Sequence, residues 1–411
     1  MNQRSLRVQW IQLIVLSGGH FLVDMFGNVL PAILPAIRRE FTISLSVGGF
    51  VLAALTLTSN GVQLLTGHMR SGKTRPLFLH VGMILAAGIC LMALAPRSPA
   101  GVVLLIGFGI VSGSGIAIAH PEGLRGVHTL DRIPPALSTA VFMTSGFFGF
   151  ASGGAISAVL VESYGLKGLY PLILCPIVGI LAIVLSRVHL AVDGKEAQTT
   201  DRRAVPRSNG LAFWRVLSIG LPAAVSTTFV LLLIPTYLDD LGFGLAFGGF
   251  STAMFGWGGV IGPFVWAVIA HRKGDLPSAA WAFLLSIPFA ILYFMFVESR
   301  AAAWLLFGVG FSSMAAYILT ITLAREASGL RLGQRMAFVV GGTWGIATVI
   351  FLILAPVADR VGAGPVLKLT PAGYLVSGLL ALHLLRRHPE LARRYRAARI
   401  LDLPGEEHTP V

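Results

Sequence analysis

Residues Leu45 to Phe50 read LSVGGF, and two hundred positions further on Leu245 to Phe250 read LAFGGF. Upstream, Leu34-Pro35 stands against Ile234-Pro235 at the same offset. Downstream, VESYG (Val161 to Gly165) stands against ADRVG (Ala358 to Gly362) at an offset of 197. Matches in one order at nearly one offset describe a chain built from two copies of a single unit. Between the copies lies the long polar stretch AVDGKEAQTTDRRAVPRSNG, ending at Gly210.

Composition says what each copy contains. The chain has 411 residues, 55% hydrophobic and 12% charged, with a mean hydropathy of +0.79. Soluble domains are roughly 45–50% apolar and about 25% charged, so an ordinary soluble enzyme is excluded, and so is a disordered or collagen-like chain. A bilayer core of about 30 Å needs about 20 apolar residues per helix. Twelve such runs are present, at 11–37, 46–66, 76–95, 100–121, 135–162, 168–189, 211–238, 246–270, 277–297, 301–324, 335–358 and 366–386. The first is too long for a signal-peptide core and no cleavage site closes it, so it counts as span 1. The expected fold is an all-α polytopic membrane protein, twelve transmembrane helices in two pseudo-symmetric six-helix bundles. Residues 1–189 form the first bundle, 190–210 a cytoplasmic linker, 211–388 the second bundle and 389–411 a cytoplasmic tail.

The net charge of +13 comes from 31 Lys and Arg against 18 Asp and Glu. Placed on alternate sides of the twelve spans, 24 of the bases fall with the N-terminus and 7 on the other side. That bias puts both termini in the cytoplasm and accounts for the charge without nucleic acid. Cys90 and Cys175 both sit in apolar runs and read as packing residues. No Walker-type phosphate loop, dinucleotide fingerprint or Cys/His metal spacing occurs, so the chain is expected to be no enzyme, with no cofactor and no metal.

An ionisable group inside a bilayer is costly and marks function by default. Of the 18 acids, Asp24 alone lies well inside a span away from both ends. His20, Asp24 and Asn28 are spaced i, i+4, i+8 and share one helical face. Two readings fit: Asp24 as a proton carrier with His20 as its modulator, or a polar lock between helices. His120, Pro121 and Glu122 close span 4; the proline bends the helix, which lets Glu122 and Arg125 pair or meet substrate, or form a helix-end charge pair. At the 197 offset His120 aligns with Tyr317 in span 10. Asn60 and Gln63, three apart on span 2, line the same cavity or bind helices together. Gly146, Gly149 and Gly153 on span 5 fall on one face and permit close backbone approach. Glu162 and Asp359 occupy equivalent outer ends of spans 5 and 11, as candidate gate residues. Five tryptophans of the second half, Trp257, Trp266, Trp281, Trp304 and Trp344, serve packing and interface anchoring or a hydrophobic substrate wall.

Two six-helix halves around a midplane site are the architecture of the major facilitator superfamily, which the chain resembles over nearly its whole length. GGHFLVDMFGNVLPAILPAI (Gly18 to Ile37) and GSGIAIAHPEGLRG (Gly113 to Gly126) resemble its fosmidomycin-resistance efflux branch. Two departures stand out. The loop after span 2, GHMRSGKTR, keeps Gly67, Arg70 and Lys73 but has Ser71 where the superfamily pattern has an Asp that latches one conformation; His271 takes that place in the second half. The antiporter pattern Gly-Pro-x2-Gly-Gly appears on span 5 with Phe150 for the proline.

The resulting expectation is a monomeric secondary transporter of the bacterial cytoplasmic membrane. It moves a small organic molecule by alternating access, exporting a drug or metabolite in exchange for protons. A proton-coupled importer or facilitator on the same fold is the alternative, and a membrane transferase using His120 and Glu122 is disfavoured by the duplication.

Overall fold

The computed structural model describes residues 5–69, 73–191, 211–389 and 391, without the side chains of residues 63–69, 136, 332 and 333. Most of the expected linker and tail, together with Arg70 and Ser71, lie outside the described residues. Eleven helical stretches are long and apolar enough to cross a membrane, and one of them, Leu137–Leu185, runs for 49 residues. At about 1.5 Å per residue that is twice a bilayer. It turns back at Gly165, whose φ of 63° is one that glycine adopts freely. Twelve crossings result among the described residues.

They are α1 (Leu6–Phe41), α2 (Leu45–Met69), α3 (Leu77–Leu94), α4 (Pro99–Val127), α5 (Pro135–Tyr164), α6 (a 3-10 turn Gly165–Leu174 leading into Cys175–Leu185), α7 (Phe213–Asp240), α8 (Leu245–Lys273), α9 (Asp275–Met295), α10 (Arg300–Glu326), α11 (Gln334–Val361) and α12 (Ala363–Arg387). α1 breaks at Asn28, between the helices Leu6–Gly27 and Val29–Phe41. Pro31 is the cause, because its ring collides with the carbonyl four residues back, at Gly27. In α11 the helix widens over Phe338–Gly342 into a π-helical turn.

The duplication is visible in the backbone. Gly165 and Gly362, 197 apart, both turn the chain with positive φ, and Thr42 and Gly242, 200 apart, do the same after α1 and α7. Packing repeats as well: α1 lies on α5 as α7 lies on α11, and α2 on α4 as α8 on α10. The halves meet along α5 against α8 and α11 against α2, two interfaces that exchange under the six-helix shift.

Interhelical contact within each half depends on small residues. A methyl on Gly149 would overlap the Phe21 carbonyl, and one on Gly153 the Met25 carbonyl, so α5 lies directly on the α1 backbone. Gly113 meets the Leu55 carbonyl of α2 as Gly310 meets the Phe255 carbonyl of α8, again at the repeat offset. We expect Gly149→Ala and Gly153→Ala each to lower stability by about 1–3 kcal/mol, read as earlier thermal unfolding in detergent. Gly107→Ala, which meets nothing within 4 Å, should leave the transition unmoved.

Candidate functional site

α1 brings His20, Asp24 and Asn28 to the face that packs on α5. His20 stacks on the Phe142 ring at 4.1 Å, and its Nδ1 lies 2.8 Å from the Phe142 carbonyl oxygen. One turn on, its Nε2 lies 3.2 Å from Asp24 Oδ2. From α4, His120 places Nε2 2.8 Å from Asp24 Oδ1, with its own Nδ1 2.7 Å from the Ile116 carbonyl. The two imidazoles meet edge to face, 5.0 Å between centroids. Below them Asn28 donates to the Phe150 carbonyl at 2.9 Å.

The protonation pattern follows from these partners. A carbonyl oxygen only accepts, so each Nδ1 carries a hydrogen. Each Nε2 then faces a carboxylate oxygen, and the contact is attractive only when a proton stands between nitrogen and oxygen. With Asp24 ionised, both bonds are charge-assisted. The side chains of His20, Asp24 and His120 are 4%, 17% and 21% exposed, so the cluster is enclosed yet reachable.

The other expected cavity residues separate. Tyr317 donates to the Val339 carbonyl, which the π-helical turn of α11 presents, and accepts from Trp344 Nε1 at 2.8 Å. Since Phe142 and Val339 are 197 apart, the same α5 or α11 carbonyl holds a histidine in one half and a tyrosine in the other. Asn60 bonds the Thr56 carbonyl of its own helix and faces Gly341 of α11. Glu122, 3% exposed, accepts from the Leu79 amide in the first turn of α3, a favourable place for a carboxylate. Arg125 donates to the carbonyls of Ala191 and Lys73, tying two loops at the terminus side. Thus Glu122 and Arg125 have other partners than the histidine cluster. Gly67 lies in the last turn of α2, and the side chain of Gln63 and all of Arg70 lie outside the described residues.

At the opposite end the halves are joined. Asp359 accepts from the amides of Leu45 and Ser46 at the start of α2, and from the Ser46 hydroxyl. Glu162 accepts from the Ala246 amide at the start of α8. The two arrangements are repeat equivalents. Arg39 of α1 pairs with Asp239 of α7 between them.

Sequence spacing does not register several of these contacts. The union of His120 with Asp24 is tertiary, and so is the Arg39–Asp239 pair. Gln9 and Gln12, each 2% exposed, bind α1 to the α4–α5 loop and to the Ser186 carbonyl. Buried amides on a terminal apolar run are the signal for them. The tryptophans divide: Trp281 and Trp304 are exposed to the surroundings of the bundle, Trp266 is buried, and Trp257 stacks on Phe148 across the α5–α8 interface.

A family model described as Major Facilitator Superfamily matches residues 16–352. The chain belongs to that superfamily. Among curated relatives, the Escherichia coli fosmidomycin resistance protein is 25% identical over 86% of this chain and 88% of its own. An uncharacterized MFS-type transporter of Bacillus subtilis, YfnC, is 23% identical over 90% and 91%. A solved POT family transporter in complex with 5-aminolevulinic acid shares the fold, with a TM-score of 0.68 at 12% identity over 92% of this chain and 96% of that one. The chain is therefore a multi-pass membrane transporter of the superfamily and not an enzyme, with a small molecule as its substrate.

Gly146 forms the wall behind the cluster, where a methyl would overlap both His20 and Asp24 Oδ2. Gly146→Ala should part the His20–Asp24 contact while the helices stay assembled. The measurement is carbethoxylation of histidine read by mass spectrometry. His20 is expected to react faster in the variant than in the wild type, and unchanged rates would show that the cluster tolerates the methyl.

Proposed function

We propose that this superfamily member is a proton-coupled exporter of a small organic molecule, a drug or metabolite antiporter of the bacterial cytoplasmic membrane with both termini inside. Asp24 carries the proton, His20 modulates it, and His120 belongs to the same site. The observation that carries the reading is the enclosed carboxylate bonded to two imidazoles at mid-span, because an ionisable cluster in a bilayer is retained for ion or substrate movement. Binding a proton there changes the charge that must cross with each stroke. A charge is worth about 2.3 kcal/mol per 100 mV of membrane potential, enough to drive the cycle. The name of the Escherichia coli relative supports export; a proton-coupled importer with the same carrier is the second reading.

Asp359 and Glu162 serve as the outer gate. Their contacts, and the Arg39–Asp239 pair, join the halves at the end away from the termini, which corresponds to a state closed outside. Asp359→Ala should move the population toward an outward-open state. Spin labels at Ser44 and Leu241, in a background lacking Cys90 and Cys175, should report a longer distance in the variant; an unchanged distribution removes Asp359 from the gate.

The coupling test uses proteoliposomes with a trapped pH dye and a panel of phosphonates and amphiphilic drugs. Wild type should move protons in answer to a substrate, and Asp24→Asn should carry that substrate without proton movement or not at all. The sign of the pH change separates antiport from symport. Normal coupling by Asp24→Asn would make the carboxylate structural.

A further inference from the structure

His20, Asp24 and His120 each offer one ligand atom, and these atoms lie within 4.8 Å of one another. Sequence spacing holds no metal pattern, because the ligands come from α1 and α4, about a hundred residues apart. We propose that this triad is a binding site for a divalent first-row transition-metal ion of the Zn2+ type, held by Nε2 of both histidines and a carboxylate oxygen of Asp24.

The donor set selects the ion class. Two imidazoles with one carboxylate suit Zn2+, Co2+ and their neighbours, whereas Mg2+ and Ca2+ prefer all-oxygen shells. Orientation is the second observation. A histidine that binds metal through one nitrogen commonly donates its other ring N–H to a backbone carbonyl or carboxylate, which fixes the ring. Both do so here, to Phe142 at 2.8 Å and Ile116 at 2.7 Å, and both turn Nε2 toward the same carboxylate. The Phe142 ring holds the His20 plane in addition.

Distances agree. Bonds of about 2.0–2.2 Å around a tetrahedral ion put its ligand atoms about 3.3 Å apart, and the nitrogen–carboxylate separations, to different oxygens of Asp24, are 3.2 Å from His20 to Oδ2 and 2.8 Å from His120 to Oδ1. All three ligand atoms lie within 4.8 Å of one another, so they close by at most about 1.5 Å on the ion. Ion and protons exclude one another at these atoms. The binding is an equilibrium property that goes beyond proton-coupled export, so loss of coupled flux and loss of metal binding are separate results.

The test is titration of the purified full-length protein with Co2+ in detergent, using a histidine-free affinity tag and chelator-stripped material. Wild type is expected to develop a saturable visible d–d spectrum at one ion per chain, displaced by Zn2+. His120→Asn and Asp24→Asn should each weaken binding at least tenfold, about the least that losing even an outer-shell partner costs. His383→Asn, near the end of α12 and remote from the triad in sequence, should bind as wild type does. Zn2+ should raise the unfolding temperature of wild type and not of the two triad variants; a triad variant that melts at the metal-free wild-type temperature is folded. His20→Gln supplies a further ligand variant if either of the others fails to fold. Equal binding by wild type and the triad variants, a spectrum that follows His383, or no saturable spectrum would overturn the site.

Discussion

One carboxylate shared by two imidazoles at membrane depth is the constraint around which this molecule is arranged. Charge in hydrocarbon is costly unless paired and hydrogen-bonded, and Asp24 meets that condition through His20 and His120 together. The imidazoles meet it through the Phe142 and Ile116 carbonyls. Those bonds require α5 to lie within van der Waals distance of the α1 backbone, hence glycine at 146, 149 and 153. They also require α1 and α4 to present their rings to one point. The helices of the first half are thus positioned by a polar cluster as much as by their apolar faces.

The second half repeats the scaffold without the charge. At the positions equivalent to His20, Asp24 and Asn28 it has Gly220, Ala224 and Thr228, and opposite His120 it has Tyr317. The Val339 carbonyl is filled by a neutral hydroxyl instead of an imidazole. Aromatic rings, Trp344 and Tyr317 among them, occupy the space. Duplication therefore keeps a carbonyl acceptor at the same position of α5 and α11, while the histidines and the carboxylate of the cluster reside in one copy. Such a division suits a transporter whose ion site lies in one half and whose other wall is apolar.

How much of this is legible in the chain depends on range. Crossings and duplication follow from hydropathy and self-similarity, which are local or periodic properties, and the superfamily enters as a resemblance to that pattern. The glycine face of α5 and the His20–Asp24 pair follow from helical spacing within one segment. The pairing of His120 with Asp24 does not, since no rule of spacing relates α1 to α4, and the capping of α3 by Glu122 has the same character. Arg125, three residues from Glu122, adds contacts of the same kind, since its guanidinium donates to loop carbonyls that only folding brings near.

The proposed gate rests on contacts of modest strength. A carboxylate at a helix N-terminus is worth about 0.3–1 kcal/mol when exposed and up to about 2 kcal/mol when partly buried. Asp359 takes two amides and a hydroxyl, whereas Glu162 has one amide at 3.3 Å. The repeat has thus made one firm clasp and one loose one on opposite sides of the same axis. Together with a solvent-exposed arginine pair, worth up to about 1 kcal/mol, the polar contacts of the closure amount to a few kcal/mol. That is comparable with one charge crossing about 100 mV. A much stronger closure would trap the protein in one state, and a much weaker one would leave the far end open whatever the proposed ion site held.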